Sequence, residues 1–122
     1  MSQNQLVDLS KSFAADIIDI CEEMKKRGKA TTLISQLLRS GTSIGANIHE
    51  ANYASGRSDF IYKLQIALKE CYETEYWTDV FHKAKMLDES EYSNLCLHCN
   101  KLRRILIASI NTAKKRRAEE KE

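Results

Sequence analysis

The sequence predicts an all-α fold, an antiparallel up-down-up-down four-helix bundle, and three observations support this prediction. The chain contains no proline and only four glycines, so few residues interrupt a helix. Apolar residues recur at intervals of about three, four and seven, the spacing of one helix face. The predicted connections are short, about two to five residues, which makes successive helices antiparallel neighbours. A single domain, residues 1–122, accounts for the chain.

The first helix is predicted over residues 2–27. Its apolar side consists of Leu6, Phe13, Ile17, Ile20 and Met24. Gly28 is predicted to end it, because glycine readily adopts the left-handed conformation that follows a last helical turn. The cations Lys25, Lys26, Arg27 and Lys29 surround this end, where they complement the helix dipole.

The second helix is predicted over residues 31–55 and contains the most informative stretch, RSGTSIGANIHE at 39–50. One stripe of this helix is apolar or small: Leu33, Leu37, Gly41, Ile44, Ile48 and Ala51. The neighbouring stripe is polar: Gln36, Arg39, Ser43, Asn47 and Glu50. A glycine costs about 1 kcal/mol relative to alanine inside a helix, so Gly41 and Gly45 predict that another element packs closely there.

The third helix is predicted over residues 58–85, with Ser58 as its N-cap. Its core stripe is Phe60, Leu64, Ala67, Leu68 and Cys71. Further apolar residues lie on other sides: Ile61, Ile66, Tyr72, Tyr76, Trp77 and Val80. A helix that is apolar around most of its circumference is normally enclosed, so Ile66, Tyr72, Tyr76, Trp77 and Val80 are predicted to form an interface between copies in a homo-oligomer. The alternative is a set of singly exposed hydrophobic residues, which is common on protein surfaces.

The fourth helix is predicted over residues 89–117, and residues 118–122 are expected to fray. Asp88 and Glu91 have the spacing of a capping box at its start. Its core face is Tyr92, Leu95, Cys96, Cys99, Leu102, Leu106, Ile110 and Ala113. Its opposite side carries Lys101, Arg104, Asn111 and Lys115.

The net charge is only +2, but the charge is unevenly distributed. No acidic residue lies between Glu91 and Glu119. The cations predicted to bind nucleic-acid phosphate are Lys101, Arg104, Lys114, Lys115, Arg116 and Arg117. Lys and Arg displace condensed counterions from RNA or DNA, independently of sequence. The alternative is a solvated cationic face with no ligand.

Several classes of protein fit the sequence poorly. It has neither an apolar run of the roughly 20 residues that cross a bilayer nor a secretory signal, so we expect a cytoplasmic protein without membrane contact. The four cysteines are expected to be free thiols, and the Cys96–Cys99 pair supplies only half of a zinc site. A di-iron bundle would need two Glu-x-x-His pairs, whereas this chain offers Asp79 with His82. We therefore expect no metal, no cofactor, no catalytic residue and no enzymatic activity.

Two segments, RSGTSIGANIHEA and DFIYKLQIALKECYETEYW, resemble the bacterial four-helix-bundle family named for proteins encoded in intervening sequences of large-subunit ribosomal RNA genes. The matching positions are Arg39, Ser40, Ser43, Ile44, Asn47, Ile48 and Glu50, then Phe60, Leu64, Ala67 and Glu73. The chain departs from the family pattern at Ala51, usually glycine, and at Glu70, where serine is common. The resemblance implies a pentameric, barrel-like assembly with basic surfaces. It also implies kinship with the accessory variability proteins of diversity-generating retroelements, which engage reverse transcriptase and nucleic acid.

The polar stripe of the second helix has two interpretations. Arg39, Ser43, Asn47 and Glu50 are predicted to form a structural polar seam facing Glu73 or a neighbouring subunit, because buried polar groups need partners. Alternatively, Arg39 and Asn47 bind nucleic acid directly, which requires the seam to open onto solvent. Two functions follow for the whole protein: an oligomeric nucleic-acid-binding accessory protein, or an adaptor that recruits a partner enzyme such as a reverse transcriptase without binding nucleic acid.

Overall fold

The computed structural model describes residues 3–29 and 31–120, and its helices form a four-helix bundle. The helices are α1 (Gln3–Lys26), α2 (Thr31–Ala51), α3 (Arg57–Lys83) and α4 (Glu89–Glu120). Each helix packs against the next in the chain, and α4 also packs against α1. This confirms the predicted all-α bundle. Within the described residues, none of the four helices combines the length and apolar character needed to cross a membrane.

The two glycines of α2 mark its closest contact with α1. A Cβ atom built on Gly41 would lie 2.7 Å from Cγ1 of Ile17, and one built on Gly45 would lie 3.1 Å from Oγ of Ser10. Ile17 and Ser10 are both buried side chains of α1. The predicted close packing is therefore confirmed, and its partner is the first helix.

Two positions of the predicted core stripes are wrong. Leu33 is 43% exposed, and Ile34 is fully buried in its place. The reason is that α2 starts beside the end of α1, where the thiol of Cys21 approaches the carbonyl oxygen of Ile34. In α3, Ile61 is buried in the core rather than on an outer side, because the core stripe continues from it through Leu64 and Ala67.

The boundaries of α2 and α3 also differ from the prediction. Helix α2 ends at Ala51, four residues before the predicted position 55. The N-cap of α3 is Gly56, which offers no side-chain hydrogen bond, and Ser58 lies inside the helix. At its other end, α3 stops at Lys83, two residues early, and Lys85 follows with a positive φ of 62°.

The connection after α3 contributes to the core, which the sequence pattern did not indicate. Met86 and Leu87 are 5% and 3% exposed. The backbone N–H of Met86 bonds to the carbonyl of Phe81 over 2.8 Å, which turns the chain back onto the end of α3. This turn buries the side chains of Met86 and Leu87 at the end of the bundle where α3 stops and α4 begins.

Helix α4 begins with the predicted capping box. The N–H of Glu91 donates to Oδ1 of Asp88 over 2.7 Å, and the N–H of Asp88 donates to Oε1 of Glu91 over 2.9 Å. The helix continues to Glu120, so residues 118–120, which were expected to fray, are helical in the structure, and residues 121 and 122 lie outside the described part. An ion pair from Arg57 to Glu120 attaches this last turn to α3.

The cysteines are free, as predicted. Cys21, Cys71 and Cys99 are buried, and burial raises the pKa of the Cys21 thiol to about 11. Cys96, which was predicted to face the core together with Cys99, is only half-buried. Burial is nevertheless the main cause that raises the pKa of the Cys96 thiol.

Candidate nucleic-acid interface

The outer face of α4 carries cations because of its helical spacing. Leu102, Leu106 and Ile110 are buried at intervals of four residues, which leaves Lys101, Arg104 and Lys115 on the opposite side, where the structure shows them exposed. Because no carboxylate occurs on this helix between Glu91 and Glu119, nothing on α4 itself neutralises this face. We call Lys101, Arg104 and Lys115 the α4 cation stripe.

Four arginines and one lysine elsewhere in the bundle are held by carboxylates of other helices. Ion pairs join Arg27 to Glu91, Arg39 to Glu70 and Glu73, Arg57 to Glu120, Lys63 to Glu50, and Arg103 to Glu75. Among the described residues, the members of the α4 cation stripe and Lys114 have no such ion pair. These side chains can therefore contact a phosphate without first breaking an ion pair in the bundle.

The two remaining predicted phosphate-binding residues point elsewhere. Arg117 is half-buried, and its Nη1 donates to the hydroxyl of Ser58 on α3 over 3.3 Å. Arg116 is exposed and lines a groove between α4 and the start of α3. The six cations therefore do not share one face: three form the stripe, Lys114 flanks it, and the two arginines turn toward α3.

The predicted polar seam of α2 is divided into separate local contacts. Arg39 donates to Glu70 over 3.1 Å and also bonds to Glu73. Asn47 donates to the carbonyl of Ser43 in its own helix. Glu50 lies 3.4 Å from Nζ of Lys63.

Of these contacts, only the one centred on Arg39 joins several side chains. The Glu73 carboxylate accepts from Arg39 and from Nε1 of Trp77, and the hydrogen bond from Arg39 is the main cause that lowers the pKa of Glu73. The side chain of Arg39 is 47% exposed, so this ion pair lies at the surface. The predicted contact between the seam and Glu73 is present, although it is made by Arg39 alone.

The buried polar contact between α2 and α3 is at Ser40 and Thr74, which the sequence reasoning did not single out. Both side chains are fully buried, and their hydroxyl oxygens lie 3.0 Å apart. Small hydroxyl residues at core spacing on both helices were the available signal, since Ser40 lies three residues after Leu37 and Thr74 three residues after Cys71.

The predicted oligomer interface combines exposed and half-buried residues. Tyr72 and Tyr76 are 49% and 59% exposed. Trp77 is half-buried and stacks on Phe81 with ring centroids 5.9 Å apart. Ile66 and Val80 are also half-buried. Further exposed hydrophobic residues, absent from the predicted interface, are Ile18, Tyr53, Tyr62 and Leu97.

The comparison with known families identifies the fold's relatives. The sequence description of the 23S rRNA-intervening sequence protein family matches residues 2–108. The chain belongs to this family. A crystal structure of a protein with unknown function from the S23 ribosomal protein family of Bacteroides thetaiotaomicron VPI-5482 is similar, with 39% sequence identity and a TM-score of 0.88. The similarity covers 91% of this chain and 99% of that one. No curated protein matches the chain significantly.

The resemblance to the 23S rRNA-intervening sequence protein family has a physical basis in the core of the bundle. Most of the apolar positions that carried the resemblance are buried in that core: Ile44, Ile48, Leu64 and Ala67. By contrast, Lys114, Lys115, Arg116 and Arg117 follow residue 108, the last residue matched by the family description. The family match therefore concerns the packing of the bundle, and most of the predicted cations lie outside it.

Proposed function

We propose that the chain is a non-enzymatic, cytoplasmic scaffold that binds the phosphate backbone of RNA or DNA through the α4 cation stripe. The observation that carries this proposal is the exposure of Lys101, Arg104 and Lys115 on one face of α4, without ion-pair partners among the described residues and on a helix that has no carboxylate between Glu91 and Glu119. Phosphate contacts need charge and exposure but no base-specific groups. An assembly of several copies, which the family resemblance implies to be a pentamer, would multiply the stripe and strengthen binding by avidity.

The described histidines have no role in this proposal, and in two of them a ring nitrogen has a partner within the bundle. No group of three or more His, Cys, Asp or Glu side chains in the described part is arranged to hold a metal ion. His82 is stacked on Tyr92, with ring centroids 3.9 Å apart, and its Nε2 lies 2.6 Å from Glu89. His98 is bonded to the carbonyl of Asn94.

The test is binding of labelled RNA and DNA at increasing salt, measured by fluorescence anisotropy. Each phosphate contact contributes a slope of about −0.9 for duplex DNA in a plot of log affinity against log salt. Charge reversal at two stripe positions, Arg104→Glu with Lys115→Glu, should weaken binding and reduce this slope by about 2. The matched control is Lys69→Glu with Lys83→Glu, which makes the same charge change at exposed positions of α3.

The two double variants separate a local site from a general charge effect. Weakening confined to the α4 variant supports the stripe. Equal weakening by both variants would mean that only net charge matters, and the proposed site would be wrong. No measurable binding at low salt would contradict nucleic-acid binding altogether.

The exposed tyrosines of α3 favour a second candidate, an adaptor that binds a partner enzyme such as a reverse transcriptase. Tyr62, Tyr72 and Tyr76 are each about half or more exposed, and tyrosine is enriched at protein interfaces. In this case nucleic-acid affinity would be absent or insensitive to the α4 charge reversal. Substitution of the tyrosines would instead abolish capture of the partner.

A further inference from the structure

A groove of about 550 Å³ lies between the start of α3 and the last part of α4. Its volume is within the range of about 300–1,000 Å³ that is typical of small-molecule sites. Phe60 and Ile105 contribute its apolar surface, and the hydroxyl residues Ser109 and Thr112 lie beside them. Arg57 and Arg116 line the same groove. It thus combines an apolar surface, two hydroxyls and two positive charges.

Arg57 is only partly satisfied by its partners in the bundle. Its Nη2 lies 2.6 Å from Oε1 of Glu120, but its Nε is buried and has no hydrogen-bond partner among the described residues. A buried donor without an acceptor is unfavourable, and a guanidinium can donate to one anion through two nitrogens at once. The present contact with Glu120 uses only one of them.

Glu120 lines an adjoining pocket that shares Arg57 and Phe60 with this groove, and it shows that an anion is stabilised beside Arg57. The hydrogen bond from Arg57 is the main cause that lowers the pKa of Glu120, and the charge of Arg116 lowers it further. The carboxylate belongs to the last described turn of α4 and its side chain is 55% exposed, so an incoming anion can displace it.

We propose that this groove binds one nucleotide of single-stranded nucleic acid. The phosphate takes the place of Glu120 beside Arg57 and Arg116, where it accepts a hydrogen bond from Nη2 of Arg57 and, once the guanidinium is released from Glu120 and turns, from Nε as well. The base packs on Phe60 and Ile105, which requires a base that is free of pairing, as in single strands. The inference rests on the proposed function, and it adds a preference for single strands over duplexes that the α4 cation stripe alone would not give.

The first test compares Glu120→Gln with Glu119→Gln in the full chain. Both variants remove one negative charge from exposed positions of the same helical turn, but only Glu120 contacts Arg57. Glu120→Gln should tighten binding of a short labelled oligouridylate by about two- to fivefold, the range expected when one exposed ion pair stops competing. Glu119→Gln should change it much less.

The second test fills the groove without changing charge. Thr112→Trp should weaken oligouridylate binding by about tenfold or more, because the larger side chain occupies the space for the base. The control is Asn111→Trp, an exposed position on the outer side of α4. Thermal unfolding of both variants shows whether each remains folded.

The outcomes distinguish this inference from the proposed function. If Glu119→Gln matches Glu120→Gln, or if Thr112→Trp binds as well as Asn111→Trp, the nucleotide groove is overturned while binding by the stripe stands. Equal affinity for an oligouridylate and for a duplex of the same length would also overturn it. If no oligonucleotide binds to any variant at low salt, the groove and the proposed function fail together.

Discussion

The hydroxyl oxygens of Ser40 and Thr74 lie 3.0 Å apart in the contact between α2 and α3, where neither side chain is exposed. Thr74 also lies 2.8 Å from the carbonyl of Glu70, and Ser40 lies 3.4 Å from the carbonyl of Leu37. Each hydroxyl has one proton, so one of the two donates to the other across the helix pair while the other donates to a carbonyl of its own helix. Such a contact favours one alignment of α2 with α3 over shifted ones, because a shift would leave buried hydroxyls without this partner.

We predict that Thr74→Val lowers the free energy of unfolding by about 1 kcal/mol more than Thr78→Val. Both substitutions replace a buried hydroxyl with a methyl group of similar size. The Thr78 hydroxyl donates only to the carbonyl of Thr74 in the same helix, so its loss removes no contact between helices. Urea denaturation of the two variants measures the difference. Equal destabilisation would show that the Ser40–Thr74 contact adds nothing.

A second prediction concerns the contact between Gly41 and Ile17. Gly41→Ala would place Cβ 2.7 Å from Cγ1 and 2.9 Å from Cγ2 of Ile17, both close to the α1 backbone and unable to move far. We expect a net destabilisation of about 1–3 kcal/mol, even though alanine favours the helix. Gly45→Ala should cost less, because its nearest contacts are 3.1–3.3 Å.

The Gly41 prediction can be checked by a double-mutant cycle. In an Ile17→Ala background the clash is absent, so Gly41→Ala should become neutral or stabilising. The cost of Ile17→Ala itself cancels in the comparison. If Gly41→Ala costs the same in both backgrounds, steric contact with Ile17 is not its cause.

Much of the fold could be predicted from the sequence because helix periodicity and short connections are local properties. The capping box at Asp88 and Glu91 and the close approach at Gly41 were both recognisable from residue type and spacing. The errors occurred where polar residues occupy core positions, or where tertiary contacts determine which residues are buried. Thr74 and Thr78 continue the α3 core stripe, which concealed the role of Ile61, and the burial of Met86 depends on a turn that folds back on Phe81.

The candidate site was less predictable. The spacing of the residues correctly placed Lys101, Arg104 and Lys115 on an exposed face of α4, because the face that a residue occupies depends only on the periodicity of the helix. It could not show that Arg117 turns toward Ser58, or that Arg57 meets Glu120, since those contacts join residues about sixty positions apart in the chain. The groove between α3 and α4 likewise depends on how two helix ends are juxtaposed.

The third prediction is a pH dependence at Glu91. Its carboxylate accepts from Nη1 and Nη2 of Arg27 over 3.0 and 2.8 Å and from the N–H of Asp88 over 2.9 Å. The hydrogen bond from Arg27 is the main cause that lowers the pKa of Glu91 from its ordinary value of 4.5. Since the folded state favours the ionised form, its contribution is complete above about pH 4.5 and is lost as the pH falls through the lower folded pKa.

We therefore expect Glu91→Gln to be less stable than the natural chain by about 1 kcal/mol at neutral pH. The difference should shrink progressively below about pH 4.5. Urea denaturation at neutral pH and below about pH 4.5 measures the difference in the free energy of unfolding, with Glu119→Gln as an exposed control on the same helix. A difference that persists unchanged at low pH would mean that packing, rather than the charge of Glu91, is responsible.

The fourth prediction concerns self-association through α3. Tyr72 and Tyr76 are one helical turn apart, and the ring of Tyr76 meets Trp77 edge-on with centroids 5.0 Å apart. Because Trp77 is held by Glu73 and by stacking on Phe81, this aromatic surface is well ordered before any partner arrives. Preorganised aromatic residues lose little conformational entropy on association. We expect sedimentation equilibrium to give a mass of several protomers, and Tyr76→Glu to shift this mass toward that of one protomer.

Tyr53→Glu introduces the same charge at a 78% exposed position in the α2–α3 connection and should leave the mass unchanged. A natural chain that sediments as a single protomer at micromolar concentration would contradict the assembly, and equal dissociation by both variants would place the interface elsewhere than α3.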